Sequence, residues 1–306
     1  MKTVSIFLLI LSLFSLNAYG QQDPNYTQYM YNMNIVNPAY AGSKGTLSIG
    51  LLGRSQWAGI DGAPESITAN VNAPVGRNLG IGLSAITDRL GPVQEQNVYA
   101  DLSYTVQLSR ASQLAFGLKG GVTIYDADLT NIILPENDID AVFGSTVNEA
   151  FPNIGAGIFY YTERFYAGLS APNMLNSLHF ERNALQISRV AEVTNYFFTT
   201  GYVFYLSDQL KFKPSTLLKA VQGAPVSVDV SANFLFNDRF ELGANYRFDD
   251  SISLLAMFGI GQGLRIGAAY DLTLSNLSDF NNGTYEIGIY WDLAPKNRAL
   301  KSPRFF

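Results

Sequence analysis

The chain has 306 residues, enough for one large barrel or two soluble domains. Charged residues are only 15%, and the net charge of −5 excludes a nucleic-acid binder, which needs a basic face. Cysteine is absent, which excludes disulfides, thiolate nucleophiles and cysteine-bound metals. With 18 Tyr and 20 Phe the chain is rich in aromatics. A mean hydropathy of +0.07 is too low for a bundle of membrane helices but suits strands that are half polar.

In chain order, residues 1–20 have the form of a secretory signal peptide. Lys2 supplies the positive start, 4–16 the apolar run, and Ala18-Tyr19-Gly20 the small-residue cleavage pattern. An uncleaved anchor is the other reading, but the run is short for a spanning helix. Cleavage is expected near Gly20, and with no cysteine after it this is not a lipoprotein signal. No later stretch offers the ~18 consecutive apolar residues of a membrane helix. Residues 21–45 are polar, rich in Asn and Tyr, and without a clean period, so they read as an irregular N-terminal segment.

Strands follow at 46–57, 66–73, 79–88, 94–108, 113–126, 153–161, 165–170, 195–206, 210–221, 226–236, 240–248, 251–260, 263–272 and 284–293. The stretch 240–248 shows the pattern most clearly. Phe240, Leu242, Ala244, Tyr246 and Phe248 alternate with Glu241, Gly243, Asn245 and Arg247. The period is two, with one apolar face ending in aromatics and one polar face. The segments 226–234, 264–272 and 285–293 repeat it. A lipid-facing barrel wall needs this arrangement.

About fourteen strands is an even number, as single-chain bacterial barrels require. Short turns at 75–78, 109–112, 162–164, 207–209, 237–239 and 261–262 all follow an even strand. The long insertions 127–152 and 171–194 both follow an odd one. The loop classes therefore separate onto opposite ends, short turns periplasmic and long loops outside. The expected fold is an all-β transmembrane antiparallel barrel in the bacterial outer membrane, with both termini in the periplasm. Glycines on the inward places, such as Gly80, Gly157 and Gly267, widen the lumen, and residues 21–45 are material for a plug.

The residues then reach a known family. Gln28-Tyr29, Asn34 and Asn37-Pro38-Ala39-Tyr40-Ala41-Gly42 are the most specific stretch. Arg54-Ser55-Gln56-Trp57, Gly62-Ala63-Pro64, Pro152-Asn153-Ile154-Gly155-Ala156-Gly157 and Lys213-Pro214-Ser215 continue the match. The whole mature chain resembles the PorP/SprF family of outer-membrane proteins of the Bacteroidota type IX secretion system. It departs from the family at Asp140-Ala141, where Asp-Pro is expected, and at Tyr285-Glu286, where His-Glu is expected. The resemblance implies an accessory of protein export that helps to export or surface-anchor a dedicated secreted protein, such as a gliding adhesin. The partners it implies are that protein, engaged through its C-terminal secretion domain, other type IX components, and outer-membrane lipid. A transport channel for apolar or small solutes, like the long-chain fatty-acid channels, is the alternative, since fold alone does not decide function.

Catalytic and metal chemistry find little support. His179 is the single histidine and has no nucleophile motif beside it, so no enzyme is expected. Glu136, Asp138 and Asp140 alternate in the first long loop but lack the rest of a calcium-loop pattern, so a solvated loop is preferred to a metal site. Gly155-Ala156-Gly157 lies in a strand with no helix behind it and is not a nucleotide loop. No cofactor is expected. Asn37-Pro38-Ala39-Tyr40 reads as a turn that seats the plug in preference to a partner motif. Ile132, Ile133, Leu134, Val142, Phe143, Met174, Leu175 and Leu178 put apolar side chains in the long loops, as a partner-contact patch or an inward lid. Residues 294–306 form a basic tail expected in the periplasm.

Overall fold

The computed structural model describes residues 24–128, 146–175, 194–222 and 224–293. The strands are β1 (Leu47–Ser55), β2 (Glu65–Val75), β3 (Leu79–Leu90), β4 (Val93–Gln107) and β5 (Gln113–Asp128). Then come β6 (Thr146–Tyr161), β7 (Phe165–Ala171), β8 (Asn195–Tyr202), β9 (Phe204–Tyr205) and β10 (Leu210–Val221). The chain closes with β11 (Ser227–Phe236), β12 (Phe240–Arg247), β13 (Ser251–Ile260), β14 (Leu264–Thr273) and β15 (Thr284–Leu293). β8 and β9 are one strand in one register, since Gly201 faces Ser215 and Phe204 faces Phe212. The break at Val203 falls opposite Lys213, next to Pro214, which has no N–H to donate. Fourteen barrel strands result.

Every strand pairs antiparallel with its neighbours, and β15 returns to β1 with Leu47 opposite Leu293. Closure leaves no sheet edge in the hydrocarbon, where each unpaired backbone group costs several kcal/mol. Side chains follow the expected alternation. On β12 Glu241, Asn245 and Arg247 are buried in the lumen while Phe240, Leu242 and Tyr246 are exposed on the outside. The outer wall carries Leu83, Leu118, Leu254 and Ile287. Near the short turns Tyr160, Phe165, Tyr202, Phe204, Phe212 and Phe234 form a run of neighbouring rings, with centroids between 4.5 and 6.5 Å apart. Tyr246–Phe248 and Tyr270–Tyr285 mark the opposite end. These are the two aromatic girdles of an outer-membrane barrel.

Three expectations need correction. The first long loop is not 127–152, because β5 continues to Asp128 and β6 begins at Thr146. Backbone pairing of Asp128 with Thr146 and of Val122 with Pro152 extends the hairpin. Both faces of 146–152 are at least partly open to solvent, so no side-chain alternation announced it. The second loop starts one residue later than expected, since Ala171 still belongs to β7. Finally, the described chain does not start at the short-turn end. Pro24 and Asn25 lie at the long-loop end beside Asp88, Pro172 and Asn173, and the segment runs down the lumen before β1 begins.

Ile287→Arg places a charge at mid-height on the lipid face, at a cost of ~2–4 kcal/mol. It is expected to lower the yield of folded, heat-modifiable barrel on unboiled gels. Phe280→Arg, on an outer loop where Phe280 is 71% exposed, is expected to leave that yield unchanged. Equal effects at the two positions would contradict the facing assignment.

Candidate functional site

Pro24 to Thr46 descends through the barrel from the long-loop end to the short-turn end. It coils as a 3-10 turn (Tyr29–Tyr31), a single α-helical turn, α1 (Met33–Val36), and a second 3-10 turn (Pro38–Tyr40). Each ends early because the sequence lacks helix length and places Asn between turns. Asn37 caps the last turn, its Oδ1 accepting from the Ala39 N–H at 2.9 Å. Pro38 stands at the first helical position, where a missing N–H is harmless.

The wall answers the segment with charge and amide groups. Near the outer end Glu286 accepts the backbone N–H groups of Thr27 and Gln28 at 2.8 and 3.0 Å. Arg54 bridges Glu286 and Asp271, and Thr27 Oγ1 donates to the same Asp271 at 2.7 Å. Tyr29 donates to Ser215 at 3.1 Å. Asn32 donates to Thr68 at 2.8 Å and accepts from Asn70 at 2.5 Å. Asn34 donates to Asp101, which also pairs with Lys119 at 3.0 Å. Tyr31 donates to Glu241, held in turn by Lys213 at 2.8 Å. At the inner end Lys44 pairs with Asp292 at 3.2 Å. A buried charge is tolerated only when paired and hydrogen-bonded; the wall residues pair mostly with one another, and the segment adds Lys44 and further hydrogen-bond donors to their carboxylates.

The stretch Asn37 to Gly42 sits on a floor of wall glycines. A Cβ on Gly117 would overlap the Ala39 backbone, one on Gly80 the Ala41 carbonyl, and one on Gly157 the Asn37 side chain. Asn37 Nδ2 also donates to the Ile158 carbonyl at 3.1 Å, and Ser103 donates to the Ala41 carbonyl at 2.6 Å. The Tyr40 ring meets Phe159 edge-on at 5.3 Å. Gly42 takes a φ of +72°, and a Cβ there would meet the Gly80 backbone at 2.8 Å. Gln28 lies against Gly267, and Asn34 against Gly82. These inward glycines do not leave open space; the segment fills it.

The structure thus brings Gln28, Tyr29, Asn34, Asn37, Pro38, Ala39, Tyr40 and Gly42 together as buried lumen residues or their close neighbours. Sequence reading missed their wall partners, Glu286, Glu241, Arg54, Lys213, Asp101 and Lys119. Their place on inward strand positions was legible, but their pairing across the lumen was not. At the mouth Met174 and Leu175 are 45% and 37% exposed, and the Met174 N–H donates to the Ile154 carbonyl at 2.8 Å. Ile132, Ile133, Leu134, Val142, Phe143 and Leu178 lie outside the described residues, as do Glu136, Asp138, Asp140, His179 and the tail 294–306. Two further outer connections, 56–64 and 274–283, are joined by Ala58 N–H to Gly283 O at 2.9 Å and Asn282 N–H to Ala58 O at 2.8 Å.

A family profile described as type IX secretion system membrane protein PorP/SprF matches residues 18–291. The sequence matches no curated protein. Among solved structures, the Ralstonia pickettii toluene transporter TbuX aligns with a TM-score of 0.50 and 11% identity, covering 85% of this chain and 92% of its own. The monoaromatic hydrocarbon channel CymD aligns with a TM-score of 0.50 and 9% identity, covering 92% and 97%. At these identities the likeness speaks to the barrel fold alone.

Gly117→Ala is expected to destabilise the barrel by ~1–3 kcal/mol, the usual range for overpacking, because a backbone must move. Gly120→Ala on the same strand meets nothing within 4 Å and is expected to be near neutral. Thermal unfolding of the two purified variants, with protease sensitivity of the segment, checks the difference.

Proposed function

Because the chain belongs to the PorP/SprF family of type IX secretion system membrane proteins, we propose that this barrel serves one secreted surface protein, helping to export it or to hold it at the cell surface. Family membership carries the reading. The secreted protein engages the barrel through its C-terminal secretion domain, and other type IX components complete the assembly. It docks at the long-loop end, where 129–145 and 172–194 present the largest outer connections, because a folded partner has no access to the lipid-covered wall. Met174 and Leu175 are exposed at that end, and the sequence of the two loops adds Ile132, Ile133, Leu134, Val142, Phe143 and Leu178 as candidate contact residues.

In the same reading the segment 24–46 is a plug that closes the lumen while the mouth holds its partner. The hydrogen bonds of Thr27 and Tyr31 to Glu286 and Glu241 and the Lys44–Asp292 ion pair support this role. They also weigh against free passage of small solutes, the transport alternative.

Deleting the gene is expected to remove one protein from the cell surface and leave carbon-source growth intact. Replacing 129–145 or 172–194 by a Gly-Ser linker is expected to cut co-purification of that protein about tenfold or more, as for loss of contacts worth ~2 kcal/mol. Wild-type co-purification from both linker variants would rule out docking at the mouth. Loss of growth on one carbon source with a full set of surface proteins would favour the transport reading instead.

A further inference from the structure

The lower half of the lumen segment lies to one side. Its Asn37-to-Gly42 stretch rests on Gly80, Gly117 and Gly157 of β3, β5 and β6, and the opposite wall, β11 to β15, is left uncovered at the short-turn end. A cavity of about 270 Å³ opens there, between that wall and Lys44. In barrels of this architecture the short-turn end faces the periplasm.

The charges around this cavity do not balance. Lys44 and Arg265 share a single carboxylate, Asp292, at 3.2 and 2.9 Å. Ser48 also donates to Asp292 at 2.7 Å, so its acceptor sites are well used. Glu241 is occupied by Lys213, Asn233 and Tyr31. Lys211 pairs with Asp238 at the rim. Arg239 lines the cavity with no ion-pair partner among the described residues. The lining itself carries three cations and three carboxylates, but Lys211 and Lys213, which stand outside it, pair with Asp238 and Glu241, so Lys44, Arg239 and Arg265 are left with Asp292 alone. Lys44 and Arg265 keep only 7% and 18% of their side-chain surface exposed, so bulk water compensates them poorly. Arg265 is held in place by its Nη2 contact with Asp292 and by the Tyr31 ring, 5.5 Å from its guanidinium.

We propose that this vestibule binds a carboxylate presented by an acidic peptide segment of a periplasmic partner protein. Arg239 supplies a planar donor fork that matches a carboxylate, Arg265 adds the guanidinium N–H groups that Asp292 does not take, and Leu235, Met257 and Leu264 provide an apolar wall for its short carbon stem. The proposal does not depend on which surface protein the barrel serves, because the site opens at the other end of the molecule. The partner reaches it without displacing the segment, whose Lys44 forms one side of the site.

The experiment uses the full-length protein in lipid nanodiscs, which leave both ends accessible. The probes are a fluorescein-labelled peptide containing Asp and Glu, its Asn and Gln counterpart, and inorganic phosphate. Fluorescence anisotropy is expected to show the acidic peptide binding, weakening as salt rises, and the amide peptide at least about tenfold weaker. Arg239→Gln, on an exposed turn, is expected to weaken the acidic peptide by about tenfold while heat-modifiability stays at wild-type level. Arg265→Lys, which keeps the charge and loses the guanidinium donors beyond the one on Asp292, is expected to weaken it as well. Equal binding of acidic and amide peptides, or unchanged binding in Arg239→Gln, would overturn the proposal. Phosphate binding as tightly as the acidic peptide would overturn it too, marking a site for any small anion.

Discussion

Backbone pairing in hydrocarbon is the constraint on which this structure rests. A strand crossing lipid has no water to satisfy its N–H and C=O groups, so the sheet must close on itself. Here closure is made by β15 against β1 over nine consecutive residue pairs, from Leu47–Leu293 to Ser55–Tyr285. Once closed, the barrel inverts the usual order of burial. Leu254 and Ile287 face lipid, while Arg54, Lys119, Lys213, Glu241 and Glu286 face inward.

That inversion creates a second problem inside. A fourteen-stranded wall encloses more volume than its own side chains fill, and many of the inward side chains are charged. The N-terminal segment meets both demands together. Its aromatic residues Tyr29, Tyr31 and Tyr40 fill space, and its amides and hydroxyls complete hydrogen bonds that the wall starts. The polarity of 24–45, which in a soluble protein would suggest a solvated tail, suits a segment whose solvent is the inner wall of the barrel.

The two ends of the barrel then have different characters. At the long-loop end β5 and β6 extend beyond the other strands, and the connections 56–64 and 274–283 bond to each other as a parapet. At the short-turn end the rim is tight, and the segment leaves along one wall. Binding of a secreted protein outside and of an acidic segment inside would thus use separate ends of one barrel, with the lumen segment between them.

The sequence by itself determined the barrel. Strict alternation on 240–248 and its repeats reports which face meets lipid, because side-chain direction flips at every residue of a strand. Turn length sorted the two ends for the same reason: each connection belongs to one end by strand parity. Alternation fails where both faces meet the same medium, which is why 146–152 was not legible as strand. It also says nothing of what one inward residue meets across the lumen. That Glu286 takes the Thr27 and Gln28 N–H groups, or that Gly117 is bare because Ala39 rests on it, follows from bringing together residues some 80 to 260 positions apart. Only the closed tertiary structure decides those contacts, because curvature and register, not local pattern, set which walls face one another.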